Sequence, residues 1–191
     1  VKHLLDRIDE AYAAPNDVYF VLRDGVLAFR GTEDLDDAIV DAQVLRREYA
    51  LSLGTFSVPG GHVHAGFLRR WEQIRSAVLA SITEPKPLVI TGHSLGGAMA
   101  ALAAIELDAL RLPVKVVTFG APRVGDSDFV RLLNHNLPEY TRVENWGDPV
   151  PWVPTYIRGW RHAGRTRYVG SPLRLFHPKY HGRDAYREAL P

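Results

Sequence analysis

The sequence predicts an α/β fold built on a mostly parallel sheet. Short β-branched runs at residues 87–91 and 114–119 read as strands buried on both faces. Stretches of helical periodicity alternate with them, which implies helices covering the sheet. A Gly-x-Ser-x-Gly, residues 92–96, stands between the first run and a stretch of strong helix formers, residues 97–105. That strand–turn–helix context makes the pattern a candidate nucleophile elbow.

The elements follow in order. Residues 2–14 place Leu4, Leu5, Ile8, Ala11 and Tyr12 at helical spacing, and Pro15 ends the pattern. Residues 18–23 and 26–30 are strand-like, and Asp24-Gly25 between them is a two-residue hairpin signal. The acidic stretch 33–43 predicts a helix. Residues 46–62 read as irregular, with one short strand around residues 55–58. His64-Ala65-Gly66-Phe67 opens a helix with an apolar stripe that includes Phe67, Trp71, Ile74 and Val78. After the strand at 114–119 comes a helix over 126–136, with Asp126 as its N-cap. Residues 140–146 predict another strand, broken by Gly147-Asp148-Pro149. Residues 150–176 carry aromatics and arginines with little periodicity, and His162 reads as part of a strand. A short helix covers 184–190.

A length of 191 residues predicts one domain spanning 1–191 with a sizeable core. The apolar share of 46% and charged share of 24% are those of a soluble globular protein. A net charge of +1 gives no general attraction to nucleic acid or membranes, and no apolar run approaches a membrane span. The absence of cysteine excludes disulfides and thiolate metal sites. No signal peptide is visible, so a cytosolic protein or the mature form of a secreted one fits equally, with a bacterial or phage source expected. Charge is unevenly spread. Residues 33–41 hold five acids and no base, whereas residues 151–191 hold eight bases against Asp184 and Glu188. Solvated faces on either side of a cleft explain this most simply. The functional alternative is that the basic end meets anionic interfaces or head groups.

The elbow pushes Ser94 out at the tip of a sharp turn, at the positive end of the helix that follows. A serine needs a base to take its proton, and the base needs a carboxylate to orient it. On such a sheet the carboxylate and then the histidine follow the serine in the chain. Asp148, just past a strand, fits best; Asp108, Asp126 and Asp128 belong to helices, and Asp184 lies too near the histidine. Glu144 is the next candidate. Of His162, His177 and His181, the last stands where the final helix begins, a firm platform for a base. His64 and His93 read as structural. The backbone N–H of Leu95 and a donor at Thr32, after Gly31, would hold an oxyanion.

These residues resemble the class 3 lipases, the family of fungal triacylglycerol lipases and their plant and bacterial relatives. Phe29-Arg30-Gly31-Thr32 is similar to the family's oxyanion strand, and His64-Ala65-Gly66-Phe67 to its H-x-G-F. Residues 91–98 match its elbow, and residues 118–125 a further motif. Residues 142–151 resemble the segment that carries its aspartate, and Arg161-His162-Ala163-Gly164 a non-catalytic H-x-G. His181 with Ala185-Tyr186 resembles its H-x-x-x-A-Y. The resemblance runs from about residue 18 to the C-terminus and implies an α/β-hydrolase fold. It implies a triad of Ser94, Asp148 and His181, with Thr32 and Leu95 as oxyanion donors, and no cofactor or metal. It also implies that residues 33–61 pass over the site as a lid. Ala38 stands where the family usually has Trp, and the apolar face there is thin, so a weak lid and a site largely open in water are expected.

The expected activity is hydrolysis of acylglycerols or simple fatty-acid esters through an acyl-enzyme. The expected partners are a lipid or small ester substrate and a transient lipid interface, without nucleic acid or a transmembrane segment. A phospholipase, galactolipase or acyltransferase would share the machinery. A non-catalytic binding scaffold is the reading from another class, and the intact set of Ser, Asp, His and Thr argues against it.

Overall fold

The computed structural model describes residues 1–15, 18–31, 46–53 and 56–191, with the backbone alone over 51–53 and 56–59. Thr32 and the acidic stretch 33–43 lie outside the described residues, and with them the first part of the expected lid.

Strands β1 (Phe20–Arg23) and β2 (Val26–Phe29) pair antiparallel across Asp24-Gly25. Both turn residues have positive φ, +51° and +73°, as a two-residue hairpin with right-handed twist requires. Next come β3 (Arg46–Leu53), β4 (Phe56–His64) and helix α2 (Ala65–Ser81), after the N-terminal helix α1 (Lys2–Ala13). Then follow β5 (Leu88–His93), α3 (Leu95–Ala109), β6 (Val114–Phe119), α4 (Ser127–Asn136), β7 (Tyr140–Asn145), β8 (Arg165–Val169) and α5 (Arg183–Ala189). Six strands form one sheet in the order β1-β2-β5-β6-β7-β8, parallel from β2 onward.

Alternation along the strands splits the core in two. Leu27 and Phe29 of β2, Ile90 of β5 and Val116 of β6 join a large cluster with α2, α3 and α4. Val26 and Ala28, with Val117 and Phe119, join a smaller one on the opposite face with Leu4, Leu5 and Ile8 of α1 and Tyr186 of α5. The sheet is therefore the middle of three layers. Helix α3 is buried from Gly96 to Ile105, which explains its almost wholly apolar sequence. The two helices of the smaller face are also tied by charge, with Arg187 bonding Asp6 and Asp9 at 2.6 Å each. These pairs are partly exposed, so each contributes at most about 1 kcal/mol.

The N-cap of α4 is as expected: Asp126 accepts from the N–H groups of Asp128 and Phe129, both at 3.0 Å. Three expectations need correction. Residues 46–62 are largely an antiparallel ribbon, β3 with β4, not irregular chain. A register shift between Glu48 and Ala50, and the Pro59-Gly60-Gly61 within β4, break the period-two pattern that reveals strands. Residues 150–176 also contain β8, an edge strand whose exposed Arg165, Arg167 and Tyr168 hide its periodicity. His162 lies just before that strand and not in it; its Nε2 donates to the Pro151 carbonyl at 2.6 Å.

Candidate active site

The nucleophile end is built almost wholly from local chain. Ser94 links β5 to α3 with φ +56° and ψ −127°, a conformation that costs a non-glycine residue about 1–3 kcal/mol. Parallel pairing helps hold it there, since its N–H donates to the Phe119 carbonyl at 3.0 Å. Glycine is required on both sides of the elbow. A Cβ on Gly92 would meet the Gly96 carbonyl oxygen at 2.1 Å, and one on Gly96 would meet the Phe29 oxygen at 2.3 Å. Leu95 is the first residue of α3, where helix N–H groups have no acceptor within the helix. Gly31 brings the end of β2 to the same place, because a Cβ there would lie 3.3 Å from Ser94 Cβ.

The opposite side comes from β7 and the loop before α5. Asp148 and His181 are both buried. His181 Nδ1 donates to the carboxylate, 2.9 Å from Oδ2 and 3.0 Å from Oδ1. The same carboxylate accepts from the Tyr186 hydroxyl at 2.6 Å and from the Val150 N–H at 2.9 Å. Burial, then the carboxylate beside it, pushes the Tyr186 phenol well above its ordinary value of 10, so it remains a donor. Its oxygen accepts in turn from the Asn145 N–H at 3.1 Å. The Asn145 side chain donates to the carbonyls of Tyr180 and Ala185, so the end of β7 grips the chain on both sides of His181. With Nδ1 committed, His181 Nε2 is buried without a hydrogen-bond partner among the described residues.

His93 joins the two ends. Its ring lies 4.4 Å from that of His181, centroid to centroid. Its Nε2 is 2.6 Å from the His181 carbonyl, which can only accept, so Nε2 carries the proton. Nδ1 then accepts from the Tyr12 hydroxyl of α1 at 3.3 Å. Burial foremost, and next the neighbouring His181, hold His93 well below the usual histidine value of 6.5, so it is neutral. The guanidinium of Arg183 lies over the Tyr12 ring at 3.7 Å.

The structure thus brings Asp148 and His181 together and sets Ser94 next to His93. His177 is exposed and accepts from the Lys179 N–H at 3.1 Å, capping a short turn. Glu144 is buried in an ion pair with Arg142. His64 caps α2, accepting from the Gly66 N–H at 3.2 Å. Tyr186, Tyr12 and the orienting role of His93 were missed by sequence reasoning. Only Tyr186 had a signal, its place in the H-x-x-x-A-Y pattern.

A family model described as Lipase (class 3) matches residues 26–157. Secreted mono- and diacylglycerol lipase 1 of Fusarium solani is 37% identical over 123 residues, covering 61% of this chain and 37% of the relative. Secreted mono- and diacylglycerol lipase 2 of Gibberella zeae is 35% identical over 179 residues, covering 78% of this chain and 44% of the relative. The chain therefore spans about two fifths of the length of these curated relatives. A solved triacylglycerol lipase, described as having a serine protease triad as its catalytic centre, superposes with a TM-score of 0.66 at 28% identity. That match covers 78% of this chain and 58% of the other. Both named relatives are fungal, which lends no support to a bacterial or phage source. Among the described residues no helix is long and apolar enough to cross a membrane. The parallel sheet, the elbow and the matched span agree, and the chain belongs to the class 3 lipase family, with an α/β-hydrolase fold.

Proposed function

We propose that the chain is a serine ester hydrolase acting on acylglycerols or simple fatty-acid esters, with residues 1–191 working as one domain. The observation that carries this is the state of His181. Its Nδ1 is held by Asp148, its Nε2 is free to take a proton, and its ring lies beside the residue preceding an elbow serine. Ser94 Oγ attacks the ester carbonyl as its proton passes to His181 Nε2. The Leu95 N–H and Thr32, which follows Gly31 in the chain, receive the oxyanion; one such donor stabilises the transition state by about 3–4 kcal/mol. Asp148 stabilises the imidazolium, which then protonates the departing alcohol. Water attacks the acyl-Ser94 ester by the same route in reverse.

The neutral His93 supports the reading, because a second positive ring beside His181 would oppose formation of the imidazolium. The relatives' names point to mono- and diacylglycerols as substrates and to secretion of the parent protein. Hydrolysis of a short chromogenic ester, with fluorophosphonate labelling at Ser94, is the direct test. A chain that neither turns over the ester nor takes the probe is a binding scaffold instead. A panel of acyl lengths and head groups then separates acylglycerols from phospholipids and galactolipids.

A further inference from the structure

A cavity beside Asp148 takes no part in the chemistry above. It holds about 170 Å³, and Asp148 is in its wall while Ser94, Leu95 and His181 are not. Trp146, Trp152, Tyr168 and Phe176 line it. The Trp146 ring stacks on that of Tyr168 with centroids 4.6 Å apart, and Phe176 meets Trp152 edge-on at 5.5 Å. Phe176 and its neighbour Leu175 are exposed, so the space opens to solvent on their side.

Its polar walls are unequal. Both oxygens of Asp148 are taken, by Val150, Tyr186 and His181. Arg174 donates to the Asn145 side-chain oxygen and lies over the Tyr180 ring. Glu144 is different. It is 6% exposed, and its Oε1 accepts from Arg142 and lies 3.9 Å from His162 Nε2. Its Oε2 has no hydrogen bond among the described residues, yet is not fully enclosed, so it opens on the cavity that Glu144 lines. Burial foremost, partly offset by Arg142, raises the Glu144 carboxyl above its ordinary value of 4.5. A carboxylate so placed gains from a further donor.

We infer that this cavity is a binding site for a phenol, one aromatic ring carrying a hydroxyl, and that it is separate from the ester site. The size fits, since an apolar cavity of about 150 Å³ holds benzene. A flat ring can stack on the lining aromatics or meet them edge-on. The hydroxyl donates to Glu144 Oε2, a single polar group that fixes orientation in an otherwise apolar site. An aromatic carboxylate is disfavoured, because Glu144 and Asp148 both repel it. A fatty acyl chain offers Glu144 no donor.

The test titrates the chain with phenol and follows tryptophan fluorescence, with anisole as the same ring lacking the donor. Phenol should bind saturably, with a Kd about tenfold or more below that of anisole, as a hydrogen bond to a charged acceptor implies. Glu144→Gln should shrink that ratio to about threefold, because a bond to a neutral acceptor is about half as strong. If that variant does not fold, the anisole comparison on the parent decides alone. Trp152→Ala and Tyr168→Ala, both about half exposed, should each weaken phenol by about three- to tenfold. Each should melt near the parental temperature and turn over a short ester at the parental rate. Phenol should bind the fluorophosphonate-labelled chain as it binds the parent, and should leave KM for a soluble short ester unchanged. Equal binding of phenol and anisole, indifference to both alanine variants, or loss of binding on labelling overturns the proposal. So does a rise in KM in proportion to phenol, which would place the ligand in the ester site. The binding measurements on the unlabelled chain need no turnover, so a parent inactive on esters defeats the hydrolase reading and leaves them to decide this one.

Discussion

The two sides of the candidate site are made in different ways. The serine side is written within a few residues. Gly92, Gly96, the strand before them and the helix after them are all adjacent in sequence, and the strained backbone at Ser94 follows from that local order. The histidine side is assembled from afar. Asp148 comes from the end of β7, His181 and Tyr186 from the region of α5, and Tyr12 from α1. A locally determined element tolerates change elsewhere in the chain; an assembled one depends on every piece that holds it. The contrast predicts that chemistry fails most sharply at the reacting atoms and then by degrees along the supports of His181.

The largest effects test the reacting atoms on both sides. Ser94→Ala should abolish fluorophosphonate labelling and ester turnover while leaving the melting temperature near that of the parent. His181→Ala should cost about as much, on the order of 10⁶ in kcat, because such a set acts as a unit. His177→Ala should cost little, and the reverse ranking of the two histidines would move the base to His177. Asp148→Asn comes next. It leaves the shape intact but favours the wrong tautomer of His181, with an expected loss on the order of 10⁴ in kcat. Near-parental turnover in that variant would show that the carboxylate is not part of the machinery.

Smaller effects probe the supports. Tyr186→Phe removes a donor to Asp148 and an acceptor for the Asn145 N–H, both buried. A loss of about 1–3 kcal/mol in stability is expected, with a fall in kcat and little change in KM. Denaturant unfolding read beside steady-state kinetics checks both. Tyr12→Phe is the mildest. It deletes one 3.3 Å contact to His93, and a net hydrogen bond is worth about 0.5–1.5 kcal/mol. The expected loss in kcat is a few-fold at most, and a hundredfold loss would mean that α1 takes a more direct part.

Legibility in the sequence followed the same division. β5, the elbow, α3, β6 and the Asp126 cap rest on neighbours in the chain, and pattern and spacing found them. Asp148 and His181 were readable by chain order and by resemblance, since each stands where a strand ends or a helix begins. The β3–β4 ribbon was missed because a register shift and Pro59 erase its alternation. β8 was missed because an edge strand with one exposed face need not look apolar. The contact between Tyr12 and His93 joins residues 81 apart in sequence, and no periodicity encodes it.

The smaller core carries a thermodynamic consequence. His181 is anchored from the smaller face, which α1 and α5 cover among the described residues, and partly exposed ion pairs tie the two helices together beside a small apolar cluster. Regions with few buried contacts open before the whole molecule does. The α1–α5 pair is therefore expected to open ahead of the larger core, and its opening would release the His181 loop while the elbow under α3 stays formed. Amide protons in α1 and α5 should exchange faster than those in β5 and α3. Heat inactivation should begin some degrees below global melting, and sub-denaturing urea should reproduce it reversibly. The working lifetime of the site would then be set by the weaker layer of the sandwich, whatever the stability of the sheet.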